Sequence, residues 1–271
     1  MPASAGRGAV RQGEARPRVP SDEPNVPRSD AKGAGSALLR QMLTKENMQR
    51  AWKRVKANKG AAGVDGLDID QSAEHLKQAW PGIREGLLSG TYRPGPVRRV
   101  GIPKPDGSER ELGIPTVTDR LIQQALLQVL QPLLDPTFSE HSHGFRPGRR
   151  AHDAILEAQR YVQAGLLVVV DVALAKFFDR VNKDILIDRL RRRIADAGVI
   201  RLVRAYLNSG IMGDGVVQGR HQGRRAGPYH RCWPTCYWTR WIGNWKGAAI
   251  ALCVTPTTAT CTCAVPGRAN G

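Results

Sequence analysis

Apolar residues recur at helical spacing across residues 36–58, at Leu38, Leu39, Met42, Leu43, Met48, Trp52 and Val55, and they predict a helical opening to the folded part of the chain. A glycine-rich break follows at 59–66. The next helical pattern covers about 72–88, with Pro81 expected to limit or kink it. Residues 98–103 then alternate as a strand, Pro105-Asp106-Gly107 supplies a turn, and 110–115 returns, which predicts a β-hairpin. Thr118 or Asp119 is the expected start of a helix whose buried face is Leu121, Ile122, Ala125, Leu126, Val129 and Leu130. Residues 141–150 have loop composition, and 151–164 read as an amphipathic helix. The nearly unbroken apolar run at 165–172 predicts a strand buried on both faces. Helices are expected at 182–195 and 199–208, and Gly215-Val216-Val217 opens another strand. Hairpin, strands and helices mix without a regular alternation, so the fold class is α+β.

The two ends differ from this middle. Residues 1–35 are mostly Ala, Gly, Pro, Arg and Ser, with too few large apolar groups to offset the entropy of ordering, and are expected to form a disordered basic leader. All five cysteines, Cys232, Cys236, Cys253, Cys261 and Cys263, lie near the other end, which is not the spread of a disulfide framework. Among 271 residues, Lys and Arg number 41 against 24 Asp and Glu, a formal charge of +17. That excess fits a polyanionic partner, since each phosphate neutralised releases a condensed counterion. Charge alone leaves nucleic acid and an anionic membrane surface both open. No apolar run approaches the ~20 residues of a spanning helix, and the N-terminus lacks a signal peptide's apolar core. No membrane partner and a cytoplasmic location are the expectations.

One stretch carries candidate chemistry. The apolar run ends in Asp171, and Phe177-Phe178-Asp179 follows shortly. Phosphoryl transfer to a growing strand needs carboxylates that hold two metal ions about 4 Å apart. A strand that delivers an acid at its end beside an aromatic pair could be half of such a site. It could equally be a strand-end cap beside ordinary core phenylalanines.

Five blocks together go further: Asn58-Lys-Gly-Ala-Ala-Gly-Val-Asp65-Gly66, Ile102-Pro-Lys104-Pro-Asp-Gly107, Leu112-Gly-Ile-Pro115-Thr-Val-Thr-Asp119-Arg120, Ser142-His-Gly144-Phe145-Arg146-Pro147-Gly148-Arg149, and Phe177-Phe178-Asp179-Arg-Val-Asn182. In this order they resemble the fingers and palm of reverse transcriptases encoded by group II introns, over about residues 46–222. The resemblance implies an N-terminal extension and fingers at 36–164 and a partial palm at 165–222. It implies that Lys104 and Arg110 lie over the triphosphate of an incoming nucleotide, with Phe178 under its deoxyribose. Arg98 and Arg99 on the hairpin would contact nucleic acid, as would Arg146 and Arg149 in the loop approaching template or primer. It further implies Mg2+ as the metal, intron RNA or a template-primer as partner, and DNA as a possible one.

Two departures qualify the activity. The family's metal-binding acid stands six residues before the Asp of the Phe-Asp pair, and here that position is Ala173. Asp171 is the remaining candidate; it shares a strand face with 173, with its Cβ about 7 Å away along the strand. The second departure is the tail at 223–271, which contains no Asp or Glu and is expected to be irregular. Joining each codon's third base to the next two bases from Gly223 onward permits Pro-Gln-Gly-Gly-Pro-Leu-Ser-Pro-Leu-Leu-Ala-Asn-Val-Leu-Leu-Asp. The same shift at 254–258 permits Tyr-Ala-Asp-Asp, the family's paired-aspartate hairpin. The chain therefore reads as frameshifted near Gln222. The expectation is an RNA-directed DNA polymerase by descent that is inactive as written. A non-catalytic RNA-binding remnant of an intron maturase is the alternative, and a decayed frame with no stable fold is a third reading.

Overall fold

The computed structural model describes residues 36–103, 105, 107, 109–144, 146–173, 182–213, 216–218, 249–251 and 260–265; backbone placement alone is described at 110, 169–173, 213, 216–218, 249–251 and 260–265. The leader, Lys104 and Phe178 lie outside these residues.

The helical opening is two helices, not one. α1 (Ala37–Met42) and α2 (Lys45–Ala57) are separated at Thr44, whose side chain accepts from the Asn47 N–H and caps α2. α3 (Ile69–Ser89) starts at a capping box, with Asp68 accepting from Gln71 N at 2.8 Å and Gln71 Oε1 accepting from Asp68 N at 3.1 Å. It runs through Pro81 instead of stopping there. Pro81 and Lys77 are exposed, so water can take the carbonyl that loses its donor. Gly90 ends the helix at φ 78°, a left-handed conformation that glycine adopts without a Cβ clash.

β1 (Val97–Pro103) and β2 (Glu109–Ile114) form the expected hairpin, in a register that pairs Arg98 with Ile114 and Ile102 with Arg110. β1 also pairs in parallel with β4 (Ile211–Gly213), which turns back into β5 (Val216–Gln218). The sheet order is β2-β1-β4-β5.

α4 (Val117–Leu134) begins at Thr116, two residues before the expected start, because the Thr116 hydroxyl accepts from Asp119 N at 3.1 Å. The helix is the centre of the molecule. Leu121, Ile122, Ala125, Leu126, Val129 and Leu130 are all buried, as the pattern predicts, and so are Asp119, Gln123 and Gln124. They pack with Leu39 and Met42 of α1, Leu76 and Leu87 of α3, and two later helices, α6 (Lys183–Arg191) and α7 (Ala197–Asn208). Each aliphatic side chain fully buried there contributes roughly 1.5–3 kcal/mol of transfer free energy. Asp196 ties two helices with one carboxylate: Oδ1 accepts from Val199 N at the start of α7, and Oδ2 accepts from Leu38 N and Leu39 N in α1.

α5 (Ala151–Gln163) leads into β3 (Val168–Ala173). Residues from the tail, β6 (Ala249–Ala251) and β7 (Thr260–Val265), complete a three-stranded sheet of order β3-β7-β6. β3 is an edge strand of that sheet among the described residues. Its approach is not buried on both faces: Leu167 is 73% exposed and Val168 48% exposed. Ile155, Leu156 and Val162 of α5 are exposed too. Together these side chains leave apolar surface exposed around α5 and the start of β3.

Candidate nucleic-acid interface

The hairpin's position follows from one buried carboxylate. Asp119, 2% exposed in the first turn of α4, accepts from Tyr92 Oη at 2.8 Å, Thr116 Oγ1 at 2.9 Å, Tyr206 Oη at 3.0 Å and Gly95 N at 3.1 Å. These four donors bind the segment leading into β1, the cap of α4 and the face of α7 to one point. Burial pushes the Asp119 carboxyl up, against the lowering pull of these hydrogen bonds. Burial, with the neighbouring Asp119 charge, likewise pushes the Tyr92 phenol up.

The glycine-rich break packs beside the same cap. A Cβ at Gly63 would stand 2.6 Å from Thr116 Cα and 2.7 Å from Thr116 N, so only glycine lets the two backbones meet. Arg120 Nη2 donates to Ala61 O at 2.7 Å from the other side, and burial lowers its pKa.

On the hairpin, strand parity puts positions 98, 100, 102, 110, 112 and 114 on one face and 99, 101, 109, 111 and 113 on the other. Arg98 and Arg99 therefore do not share a face. Arg99 is exposed and pairs across the strands with Glu111. Arg98 is half-buried, and its Nε has no hydrogen-bond partner. Arg110 sits in register with Ile102 in the first part of β2.

Arg146 is turned inward. Its side chain is 7% exposed, with Nε on Asp135 Oδ1 at 2.9 Å and Nη2 on Asp135 Oδ2 at 3.2 Å. Nη1 donates to Ser139 O at 2.6 Å and Ser142 O at 3.1 Å, and Nη2 also reaches Asp135 O at 3.1 Å. The guanidinium lies 5.6 Å from the centre of the Phe138 ring. Every direction of the fork is used to hold the loop. Arg149 donates to the Glu140 carbonyl at the loop's edge.

Beside that loop is a cluster the sequence reading missed. Glu157 of α5 receives His141 Nδ1 at 2.5 Å and Tyr161 Oη at 2.5 Å on one oxygen, and His143 Nε2 on the other. Burial acts to raise the Glu157 pKa, but the hydrogen bonds from Tyr161, His143 and His141 outweigh it and hold the carboxyl at about 2. Burial and the adjacent Glu157 raise the Tyr161 phenol. Residues 157 and 161 are one helical turn apart, a signal visible in sequence, but nothing there links them to 141 and 143.

Asp171 and Ala173 lie two apart on β3, where backbone pairing sets Thr262 opposite Asp171 and Thr260 opposite Ala173. The paired strand β7, Thr-Cys-Thr-Cys-Ala-Val, brings no carboxylate.

Residues 102–230 match the model of the reverse transcriptase (RNA-dependent DNA polymerase) family. Among curated relatives, the group II intron-encoded protein LtrA of Lactococcus lactis subsp. cremoris is 34% identical over 179 residues, 65% of this chain and 29% of its own length. The chain belongs to the group II intron reverse transcriptase family. Other relatives agree. Protein YkfC of Escherichia coli is 34% identical over 192 residues, 69% of this chain and 50% of YkfC. A putative COX1/OXI3 intron 1 protein of Saccharomyces cerevisiae is 35% identical over 182 residues, covering 65% and 21%. The chain thus spans half or less of the length of these relatives. A solved structure titled a partial Cas6-RT-Cas1--Cas2 complex shares the fold, with a TM-score of 0.54 at 16% identity, over 83% of this chain and 38% of that one.

Reverse transcriptases of this family use divalent metal ions. The residue at the expected acid position, Ala173, offers no ligand to such an ion, and strand pairing sets Thr260 and Thr262 opposite 173 and 171. Among the described residues, which exclude the side chains of 169–181, no group of three or more His, Cys, Asp or Glu could hold a metal. No helix among the described residues is long and apolar enough to cross a membrane.

Proposed function

We propose that this chain is the fingers and partial palm of a group II intron reverse transcriptase that binds RNA and, as written, does not polymerise DNA. The observation that carries the second half is the β3–β7 pairing, in which Asp171 is the single acid on a two-strand ladder otherwise made of Val, Ala, Thr and Cys. Two-metal phosphoryl transfer needs convergent carboxylates, and one cannot bridge two ions and orient both oxygens of an in-line displacement. RNA binding rests on the +17 charge and on the basic hairpin and loop. Arg98, Arg99, Arg110 and Lys104 on the hairpin, with Arg149 at the loop's edge, are the cations we assign to intron RNA or a template-primer. Arg146 holds the loop's shape and acts on RNA through it. DNA is a secondary partner, and the cytoplasm is the compartment we assign.

The family supports a second reading, an RNA-directed DNA polymerase with Lys104 and Arg110 on the triphosphate, Phe178 under the deoxyribose and Mg2+ near Asp171. One experiment separates the two: RNA-templated primer extension with Mg2+, run beside RNA binding across a salt series. Binding that weakens with salt, without extension, supports the RNA-binding remnant; extension by the chain as written supports the polymerase.

A further inference from the structure

Away from the metal position, a cleft of about 610 Å³ opens between the end of α3, residues 92–96 and α7 with the segment after it. Three of its lining residues are Arg93, Arg201 and Arg204, and none is acidic. Arg201 and Arg204 are three apart on α7, so one helix face presents both to the cleft. Gly90 leaves room for this placement: a Cβ there would stand 3.1 Å from the Arg201 guanidinium carbon and push it back by a few tenths of an ångström.

These cations are available. Arg201 has no hydrogen bond or ion pair among the described residues. Arg93 makes one marginal bond, Nη1 to Tyr92 O at 3.5 Å. Arg204 pairs with Asp184 at 2.9 Å, but both side chains are largely in water, 45% and 81% exposed. A pair so exposed contributes little and exchanges readily for a phosphate. The partial negative charge at the end of α3 accounts for a guanidinium at Gly90. It does not account for two more converging on the same concave wall.

We propose that this cleft takes the phosphodiester backbone of RNA, as a contact separate from the hairpin. The inference rests on the RNA-binding reading above and gives it a second surface. Three guanidiniums and the exposed Asn208 amide suit a chain of phosphates. The cleft's one aromatic lining residue is Tyr92, half-buried and fixed through its hydroxyl to Asp119, so guanidiniums outnumber rings on the wall. Recognition there is of the backbone, not of sequence.

The test uses the full chain and a fluorescently labelled RNA hairpin with a single-stranded flank, titrated over a KCl series. The double variant Arg93→Glu, Arg201→Glu should bind about tenfold more weakly at low salt, and the slope of log affinity against log salt should fall by about 1 for each phosphate that the variant no longer neutralises. Arg99→Glu serves as the hairpin comparison, and circular dichroism confirms that each variant is folded. Wild-type affinity and slope in the cleft variant, with Arg99→Glu impaired, would overturn the cleft and leave RNA binding standing. ATP displacing the RNA from the wild type but not from the cleft variant, at matched ionic strength, would point to a small ligand and overturn the backbone assignment. No RNA binding by the wild-type chain would sink the functional reading itself, and the cleft with it.

Discussion

Replacing Asp119 with Ala perturbs the point where the hairpin's root, α4 and α7 meet. The change strands the Gly95 N–H, whose position the backbone fixes, and removes the acceptor of the Tyr92 and Tyr206 hydroxyls. The Thr116 hydroxyl can rotate, so it is left out of the sum. Three broken partnerships at roughly 1–2 kcal/mol each give a cost of about 3–6 kcal/mol. That is a large share of the roughly 5–15 kcal/mol that typically holds a domain together. Asp119→Asn keeps one acceptor oxygen but turns an amide N–H2 toward two donors, and should cost about 2–3 kcal/mol. Urea denaturation followed by circular dichroism measures both. Tyr206→Phe should cost about 1 kcal/mol alone and, combined with Asp119→Ala, much less than the sum, because the two share a hydrogen bond. A cost below about 1 kcal/mol for Asp119→Ala, or full additivity with Tyr206→Phe, would refute the idea that this carboxylate anchors the hairpin.

Three more expectations concern other elements. The Glu157 carboxyl is depressed from 4.5 to about 2, so its stabilisation is fully present above pH 4.5 and is lost as pH falls toward 2; with a ceiling of about 3 kcal/mol and screening at a partly exposed site, Glu157→Gln should cost about 1–2 kcal/mol at pH 7. Carbon-13 titration of the glutamate carboxyls checks this directly, and a Glu157 midpoint near 4.5 would contradict the cluster. Gly63→Ala forces a Cβ into the Thr116 backbone and should destabilise the chain by about 1–3 kcal/mol in thermal melts; an unchanged melting temperature would mean that the loop does not pack there. Ile155→Lys with Leu167→Lys, at 62% and 73% exposure, should raise soluble yield and reduce light scattering without loss of stability. A fall in stability would show that these side chains are covered.

Much of the fold was legible because it rests on local rules. The Pro-Asp-Gly turn chemistry between alternating runs marked the hairpin, though not its register, and the 3.6-residue period marked the buried face of α4. The break between α1 and α2 was signalled by Thr44, a cap residue that an unbroken apolar pattern masks. Pro81 does not end α3, because a proline on a wet helix face leaves its freed carbonyl to water. The site was less legible for a different reason. Whether Arg146 faces RNA or Asp135 depends on a carboxylate eleven residues away, and the Asp119 hub joins residues 27 and 87 positions apart. Composition marks such side chains as polar and says nothing about which way they turn.

The claim that the chain binds RNA without copying it is tested most directly by RNA-templated primer extension with Mg2+, using the chain as written and a control in which the reading frame beyond Gln222 is restored and Ala173 is replaced by Asp. The account predicts no extended product from the chain as written, with extension by the control. Product from the chain as written, with Ala173 confirmed by mass spectrometry, would contradict it and would mean that the metal-binding carboxylates lie elsewhere than β3.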